Sequence, residues 1–190
     1  MIPTSIENWT ALETLIAAPN PINSIPTEIE EGTPNNGDGN GDGERDCLQA
    51  NVASNIDLQG EYRTLEISGD CEKITRFEIE TEASTSEADL NYDFPFYLNS
   101  FDIPCSGTIQ VEVYYHELTA FNNFTYRKFG PETPGGSESI WYDFPATFGQ
   151  ATVGGQTLGT VTFSLTDGEK GDATVADGLI VDPGGPAMNI

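Results

Sequence analysis

Alternation of hydrophobic and polar residues dominates the chain from about Gln59 onward. Such alternation puts successive side chains on opposite faces of a strand, and β-branched and aromatic residues, which favour strands, fill most of these runs. Seven strands and a short eighth are predicted, over residues 61–68, 73–82, 92–103, 108–116, 124–129, 139–144, 157–166 and 179–181. Turn residues separate them without a long helical pattern. We therefore predict an all-β fold, an antiparallel two-sheet β-sandwich of the immunoglobulin-like or jelly-roll-like kind.

The same alternation predicts which side chains form the core. In the run from Thr108 to His116, one face carries four large side chains, Ile109, Val111, Val113 and Tyr115. The run from Thr157 to Thr166 presents Val161, Phe163 and Leu165 in the same way. These residues are expected between the sheets, where they stabilise the fold and form no site.

The first 34 residues follow a different pattern. A short helix is predicted over residues 4–18, because Thr4 and Glu7 match a capping box and the large apolar residues lie on a single stripe. That stripe consists of Ile6, Trp9, Leu12, Leu15 and Ile16. It favours packing against a neighbouring repeat or the body of the protein, with docking to a partner chain as the alternative. Residues 19–34, which contain prolines and a glutamate cluster, are expected to be a linker.

Charge narrows the range of partners. The chain of 190 residues has 31 Asp and Glu against 7 Lys and Arg, a formal net charge of -24. Such a field repels nucleic acid and anionic lipid and attracts divalent cations. The longest apolar runs fall short of the ~20 residues of a membrane helix, and the N-terminus has no export signal, so an exported protein would be represented here by a mature or excised portion.

Three cysteines, Cys47, Cys71 and Cys105, leave one over after any single pairing. The chain has only one histidine and lacks a C-x-x-C pair, so a zinc site is not favoured. A disulfide between Cys71 and Cys105 is predicted, since each lies in a polar turn at a strand end. Cys47 is the alternative partner of Cys71, and three thiols remain the other possibility.

The run from Asn35 to Cys47, NNGDGNGDGERDC, spaces its oxygen-bearing side chains as a calcium loop does. An EF-hand-type loop needs oxygen ligands at positions 1, 3 and 5, glycine at 6, a carbonyl at 7 and acids near 9 and 12. With Asp38 first, the ligands are Asp38, Asn40, Asp42, Glu44 and Asp46. Gln49 at position 12 does not fit. Calcium is the predicted ligand, and a flexible polar linker is the alternative.

A second acidic block follows the strand predicted over residues 157–166. It contains Asp167, Glu169, Asp172, Asp177 and Asp182, interleaved with glycines, and its only basic neighbour in sequence is Lys170. Clustered carboxylates favour a cation, so calcium is a second hypothesis here. A set of Asp-Gly turns, with each carboxylate bonded to its own backbone, is the alternative, because the spacing matches no standard calcium template.

Catalytic motifs are poorly represented, and we expect a protein that is not an enzyme. His116 stands alone at a strand end, which is typical of a structural histidine. The repeated Asp-Phe-Pro of residues 93–95 and 143–145 favours a strand-entry turn that is used twice, over a glycosidase carboxylate pair. Tyr114 and Trp141, with Tyr142, are candidate exposed aromatics for stacking on sugar rings, although alternation puts at least one of Trp141 and Tyr142 in the core.

Two stretches carry resemblances to known families. DGNGDGERD followed by LQANVAS resembles the last unit of a thrombospondin type 3 repeat array in a bacterial surface protein. Three segments, YRKFGPETPGG, WYDFPATFG and the block from Thr160 to Ala187, are similar to the bacterial choice-of-anchor U domain, a resemblance that covers about residues 50–187. The departures are Glu44-Arg45, where Ile-Pro is common in the repeat, and Cys47.

The resemblances imply a location more than an activity. Members of the second family are exported and lie near the C-terminus of large surface or secreted proteins. We therefore expect three parts: a helix and linker at 1–34, a calcium loop at 35–49 and a sandwich at 50–190. The predicted function is an extracellular, calcium-stabilised structural or adhesion module whose partners are protein neighbours or further copies of the chain. The alternative is a carbohydrate-binding module.

Overall fold

The structure is a computed structural model that describes residues 33–190, so the helix predicted over residues 4–18 lies outside the described residues. Within the described range the only helical segments are three 3-10 turns, at Pro34–Gly37, Asp46–Leu48 and Glu82–Ser84. Eleven strands make up the rest of the regular structure. They are β1 Val52–Ile56, β2 Tyr62–Gly69, β3 Arg76–Glu80, β4 Tyr92–Asp93, β5 Leu98–Pro104, β6 Thr108–Tyr115, β7 Phe124–Gly130, β8 Ile140–Asp143, β9 Thr147–Val153, β10 Gln156–Thr166 and β11 Leu179–Asn189.

All strand pairs are antiparallel and form two sheets, which confirms the predicted all-β fold. The first sheet has the order β1-β2-β6-β10-β9. The second has the order β3-β5-β11-β7-β8, and β4 also pairs with β11. One continuous cluster of buried side chains joins the inner faces, with Val111 and Phe163 from the first sheet and Phe101, Tyr126 and Ile180 from the second. The fold is therefore a β-sandwich.

The predicted core faces are confirmed. Ile109, Val111, Val113 and Tyr115 are fully buried, and Val161, Phe163 and Leu165 are at most 3% exposed. Both Asp-Phe-Pro segments lie between strands, the first between β4 and β5 and the second between β8 and β9. The first closes a turn in which the Tyr97 N–H donates to the Phe94 carbonyl at 3.1 Å. The first segment is thus a turn, whereas the second is an irregular link in which the Phe144 N–H donates to the Tyr126 carbonyl at 2.9 Å.

Strand β11 is much longer than the predicted three residues and lies in the middle of the second sheet, between β5 and β7. It continues through Pro-Gly-Gly-Pro, a sequence that ordinarily ends a strand. Gly185 is required by close packing, because a Cβ there would lie 2.5 Å from the carbonyl oxygen of Tyr97. The glycines let the neighbouring strands approach where side chains would obstruct them.

The disulfide between Cys71 and Cys105 is present, with the two Cα atoms 5.6 Å apart. Cys105 is buried and Cys71 packs against the core cluster. Cys47 lies on the surface and is outside this bond. The bridge joins the turn after β2 to the end of β5 and thus ties the first sheet to the second.

Candidate functional site

The segment from Asp38 to Gln49 lies against the outer face of the first sheet, beside β1, β2 and β9. Its Asn40 Nδ2 donates to Oε2 of Glu66 on β2 at 3.2 Å. Asp46 is buried, and its carboxylate accepts the Gly39 N–H at 2.9 Å and the hydroxyl of Ser54 on β1. A Cβ at Gly41 would lie 3.1 Å from Val153 on β9, so the turn there rests directly on the sheet. The segment is a fixed part of the fold.

Within this segment the backbone turns around the side chains at the first, third and fifth predicted ligand positions. The Asp38 carboxylate accepts the N–H groups of Gly41 at 2.8 Å and Gly43 at 3.1 Å. The Asp42 N–H donates to Asn40 Oδ1 at 3.3 Å, and the Glu44 N–H donates to Asp42 Oδ1 at 2.8 Å. This last hydrogen bond lowers the pKa of the Asp42 carboxyl, so it is ionised at neutral pH.

Gln49, at the twelfth position, reaches this cluster. Its Nε2 donates to Asp42 Oδ1 and to the backbone carbonyl of Glu44, each at 3.2 Å. That carbonyl is the ligand that the seventh position contributes in a calcium loop. Rotation of the terminal amide by half a turn presents Oε1 in place of Nε2. Gln49 can thus supply one oxygen where a glutamate would supply two, although its residue type did not fit the predicted pattern.

Asp46, the predicted ninth-position ligand, holds the loop to β1 through Ser54 and also accepts the Gly39 N–H within the loop. Burial raises the pKa of its carboxyl, opposed by the hydrogen bonds from Ser54 and Gly39. The remaining oxygen-bearing groups of the segment are Asp38, Asn40, Asp42, the Glu44 carbonyl and Gln49, of which Asn40 and Gln49 contact Asp42 through their amide nitrogens. Such a set fits calcium, which prefers oxygen ligands, but two carboxylates give weak binding. No group of three or more His, Cys, Asp or Glu side chains between residues 33 and 190 is arranged for a metal.

The second acidic block is held together by its own backbone hydrogen bonds. Asp167 accepts the N–H groups of Asp177 at 3.2 Å and Gly178 at 3.0 Å. Asp172 is fully buried and accepts N–H groups from Gly168, Thr174 and Val181 at 2.9–3.1 Å. Glu169 is exposed. These carboxylates fix the loop between β10 and β11 through hydrogen bonds that reach up to 11 residues along the chain.

Asp182 points into the core and meets a cation from another strand. Its Oδ1 lies 2.6 Å from Nζ of Lys128 on β7, and both side chains are at most 1% exposed. The Lys128 Nζ also donates to the Gly171 carbonyl at 3.0 Å and lies 4.5 Å from the centre of the Phe144 ring. Lys170, the basic residue nearest in sequence, forms a surface ion pair with Glu132 instead. Lys128 is therefore the close partner of Asp182, where the sequence suggested a calcium ion.

Burial changes the pKa values of Lys128 and Asp182 more than the charge of either residue changes the pKa of the other. Burial lowers the pKa of the Lys128 amine, and the neighbouring Asp182 charge opposes that shift. Burial likewise raises the pKa of the Asp182 carboxyl against the attraction of Lys128. Both groups are thus driven toward their neutral forms. The burial of this lysine could have been inferred from the sequence, because alternation puts Lys128 on the same face as Tyr126, a core residue.

His116 ends a chain of hydrogen-bonded side chains that starts at Asp46. The Asp46 carboxylate accepts from Ser54 Oγ, which lies 2.7 Å from Thr64 Oγ1, and Thr64 Oγ1 lies 3.1 Å from His116 Nε2. Burial, with a smaller contribution from the Arg63 charge, lowers the pKa of His116 to about 4. The neutral imidazole thus helps to hold the acidic loop to the first sheet.

This shift predicts acid sensitivity. Because the pKa of His116 is about 4 in the fold and 6.5 in the unfolded chain, the unfolded chain binds more protons between these values, and stability falls as pH is lowered through them. Since the ring is partly exposed, we expect a loss of about 1–2 kcal/mol. Urea unfolding at pH 7 and pH 4.5 should show this loss in the natural protein and a smaller one in His116→Gln. An identical pH dependence in both would contradict the assignment to His116.

The aromatic residues considered for sugar stacking are not exposed platforms. Tyr114 is 7% exposed and its hydroxyl donates to Glu66 at 3.0 Å. Trp141 is half-buried, with its ring centre 4.8 Å from that of Phe94 and its Nε1 donating to the Glu87 carbonyl at 2.7 Å. Tyr142 is buried, as alternation suggested for one of the pair. The ring faces that a sugar would contact are largely covered.

A cleft of about 340 Å³ lies between the acidic loop and the outer face of the first sheet. Its lining includes Gly39, Asp46, Ser54 and Thr64, which are the residues that fasten the loop. Neither Tyr114 nor Trp141 contributes to it. The cleft is therefore the gap where the loop packs against the sheet.

A scan against protein-family models gives no matching family, and searches of curated proteins and of solved structures give no match either. The resemblances to the thrombospondin type 3 repeat and the choice-of-anchor U domain thus remain predictions. Over residues 33–190, no helix has the length and apolar character needed to cross a membrane.

Proposed function

We propose that the protein is a non-enzymatic, calcium-stabilised structural or adhesion module of an extracellular bacterial protein. The observation that carries the proposal is the loop from Asp38 to Gln49, in which Asn40 and Gln49 contact Asp42 while Asp46 and Asn40 fasten the loop to the first sheet. A calcium ion bound there neutralises Asp38 and Asp42 and makes the join between this loop and the sandwich rigid. The disulfide between Cys71 and Cys105 supports an oxidising, extracellular location.

Calcium is expected to raise the stability of the protein. Extracellular calcium modules bind with dissociation constants of about 10⁻⁴–10⁻³ M, so 10 mM calcium would add about 1.4–2.7 kcal/mol to the free energy of unfolding. Urea unfolding in EDTA and in 10 mM calcium measures this difference. Equal stability in the two conditions, together with no calcium bound in an equilibrium titration, would overturn the proposal.

Two variants locate the effect. Asp42→Asn removes one ligand charge and should abolish most of the calcium-dependent gain, whereas Gln49→Glu supplies the missing acid and should tighten binding. Asp57→Asn is the matched control, because Asp57 also accepts backbone N–H groups in a surface turn, from Gln59 and Glu61, but lies outside the loop. A gain that survives in Asp42→Asn would assign calcium to another part of the chain.

Protein neighbours or further copies of the chain are the proposed partners. The open edges of the two sheets at β1, β9, β3 and β8 offer unpaired backbone groups to an added strand. Light scattering at high protein concentration with calcium present tests self-association, and a strictly monomeric mass would exclude it. The carbohydrate-binding alternative has no exposed aromatic platform at Tyr114 or Trp141 to support it.

A further inference from the structure

Lys128 and Asp182 lie on adjacent strands of the second sheet, with their side chains on the same inner face. Lys128 pairs in register with Gly184, so Asp182 is its diagonal neighbour two residues along β11. The contact between Nζ and Oδ1 is 2.6 Å, yet neither carboxylate oxygen of Asp182 has a hydrogen-bond partner among the described residues. The amine therefore touches the carboxyl group without the angles of a hydrogen bond.

We propose that the Lys128 amine and the Asp182 carboxyl condense to form an isopeptide cross-link between β7 and β11. Nζ of the neutral amine adds to Cγ of the protonated carboxyl group and forms the new C–N bond. The C–OH bond then breaks, and the hydroxyl leaves with one proton from the nitrogen as a water molecule. The step oxidises and reduces nothing and needs no co-reactant.

The surroundings of the pair favour this reaction. A buried lysine is a nucleophile when it is neutral, and burial here pushes the amine and the carboxyl toward the required neutral forms. The hydrogen bond to the Gly171 carbonyl holds Nζ in place, and the Phe144 and Phe163 rings, 4.5 and 5.1 Å from it, exclude water. Fixed neighbours can react as if present at about 10⁵–10⁸ M, which offsets the unfavourable condensation of a free amine and acid in water.

A comparison within the chain separates the effect of burial from that of distance. Lys170 and Glu132 form an ion pair at 2.7 Å, but their side chains are 46% and 52% exposed. Water surrounds both of these groups, and condensation of an amine and an acid is unfavourable in water, so the exposed pair should not form a cross-link. The inference does not depend on calcium binding, since the loop from Asp38 to Gln49 contributes no atom to the reaction.

Mass spectrometry of the purified, folded, full chain tests the proposal directly. The intact, disulfide-bonded protein should be lighter than its sequence by one water molecule beyond the hydrogens lost in the disulfide. After reduction and digestion with trypsin, residues 128–170 should be joined to residues 171–190 in one branched species whose fragments place the bond at Lys128 and Asp182. If the protein has its full mass, and trypsin cleaves after Lys128 to give residues 129–170 and residues 171–190 as separate linear peptides, the proposal is overturned.

Lys128→Arg should keep the full mass, because the guanidinium group does not condense, whereas Lys170→Arg should lose water as the natural chain does. Since the decisive measurement is made on the unsubstituted protein, it stands even if Lys128→Arg does not fold. Loss of water can also come from a succinimide at an Asp-Gly sequence such as Asp167-Gly168 or Asp177-Gly178. A water loss that maps to a linear peptide at one of these sites would count against the cross-link.

Discussion

Replacing Lys128 with methionine is expected to lower the free energy of unfolding by about 3–5 kcal/mol, the usual cost of leaving one member of a buried pair of ionisable groups without its partner. Asp182 would remain fully buried, and the amino group 2.6 Å away would be lost. The hydrogen bond to the Gly171 carbonyl would go with it, which loosens the loop before β11. Urea or guanidinium unfolding followed by tryptophan fluorescence measures the change.

The matched control is Lys170→Met, which breaks an ion pair of nearly the same length at the surface. Exposed pairs contribute about 0–1 kcal/mol, so the control should unfold close to the natural protein. The double variant Lys128→Met, Asp182→Leu removes both buried charges and should regain much of the loss if the pair is only ionic. Similar small losses in Lys128→Met and Lys170→Met would show that the buried pair stabilises the protein no more than the surface pair does.

Removal of the Cys71–Cys105 disulfide is expected to cost about 4 kcal/mol in the chain-entropy model. The bond closes a loop across a sequence separation of 34 residues and links the two sheets at one end of the sandwich. The double variant Cys71→Ala, Cys105→Ala preserves an apolar side chain at the buried Cys105 position and removes the link. Its thermal and urea unfolding should be compared with those of the natural protein under non-reducing conditions.

Cys47→Ala is the control for that experiment, because Cys47 is exposed and outside the disulfide. Its effect should stay within about 0.5 kcal/mol. If a reducing agent and the double cysteine variant both leave the unfolding midpoint unchanged, the loop-closure argument is wrong for this bond.

The strands that could be predicted from sequence are those with a clear alternation of large apolar and polar residues. β6 and β10 are examples, and their alternation also identifies Val111 and Phe163 as core positions. β1 and β9 were missed because edge strands bury little and their sequences, VASNI and TFGQATV, alternate weakly. β11 was predicted too short, since its prolines and glycines are tolerated only through the particular close packing of its neighbours.

The candidate site was predictable as far as local spacing determines it. The turns around Asp38 and Asp42 follow from residues two to five positions apart, which the chain brings together by itself. Gln49 could not be judged from its residue type alone, and the contact of Asp46 with Ser54 depends on β1. The partner of Asp182 could not be predicted from local spacing either, because the pairing of β7 with β11 brings Lys128 to it.

The central position of β11 also constrains the order of folding. β5 and β7 are neighbours in sequence among the strands of the second sheet, but they do not pair with each other, because β11 lies between them. During synthesis the second sheet therefore cannot close until residues 179–189 have left the ribosome. Pairing over such long sequence separations is slow, so the nascent chain must keep the inner faces of β5 and β7 from aggregating until the last strand arrives.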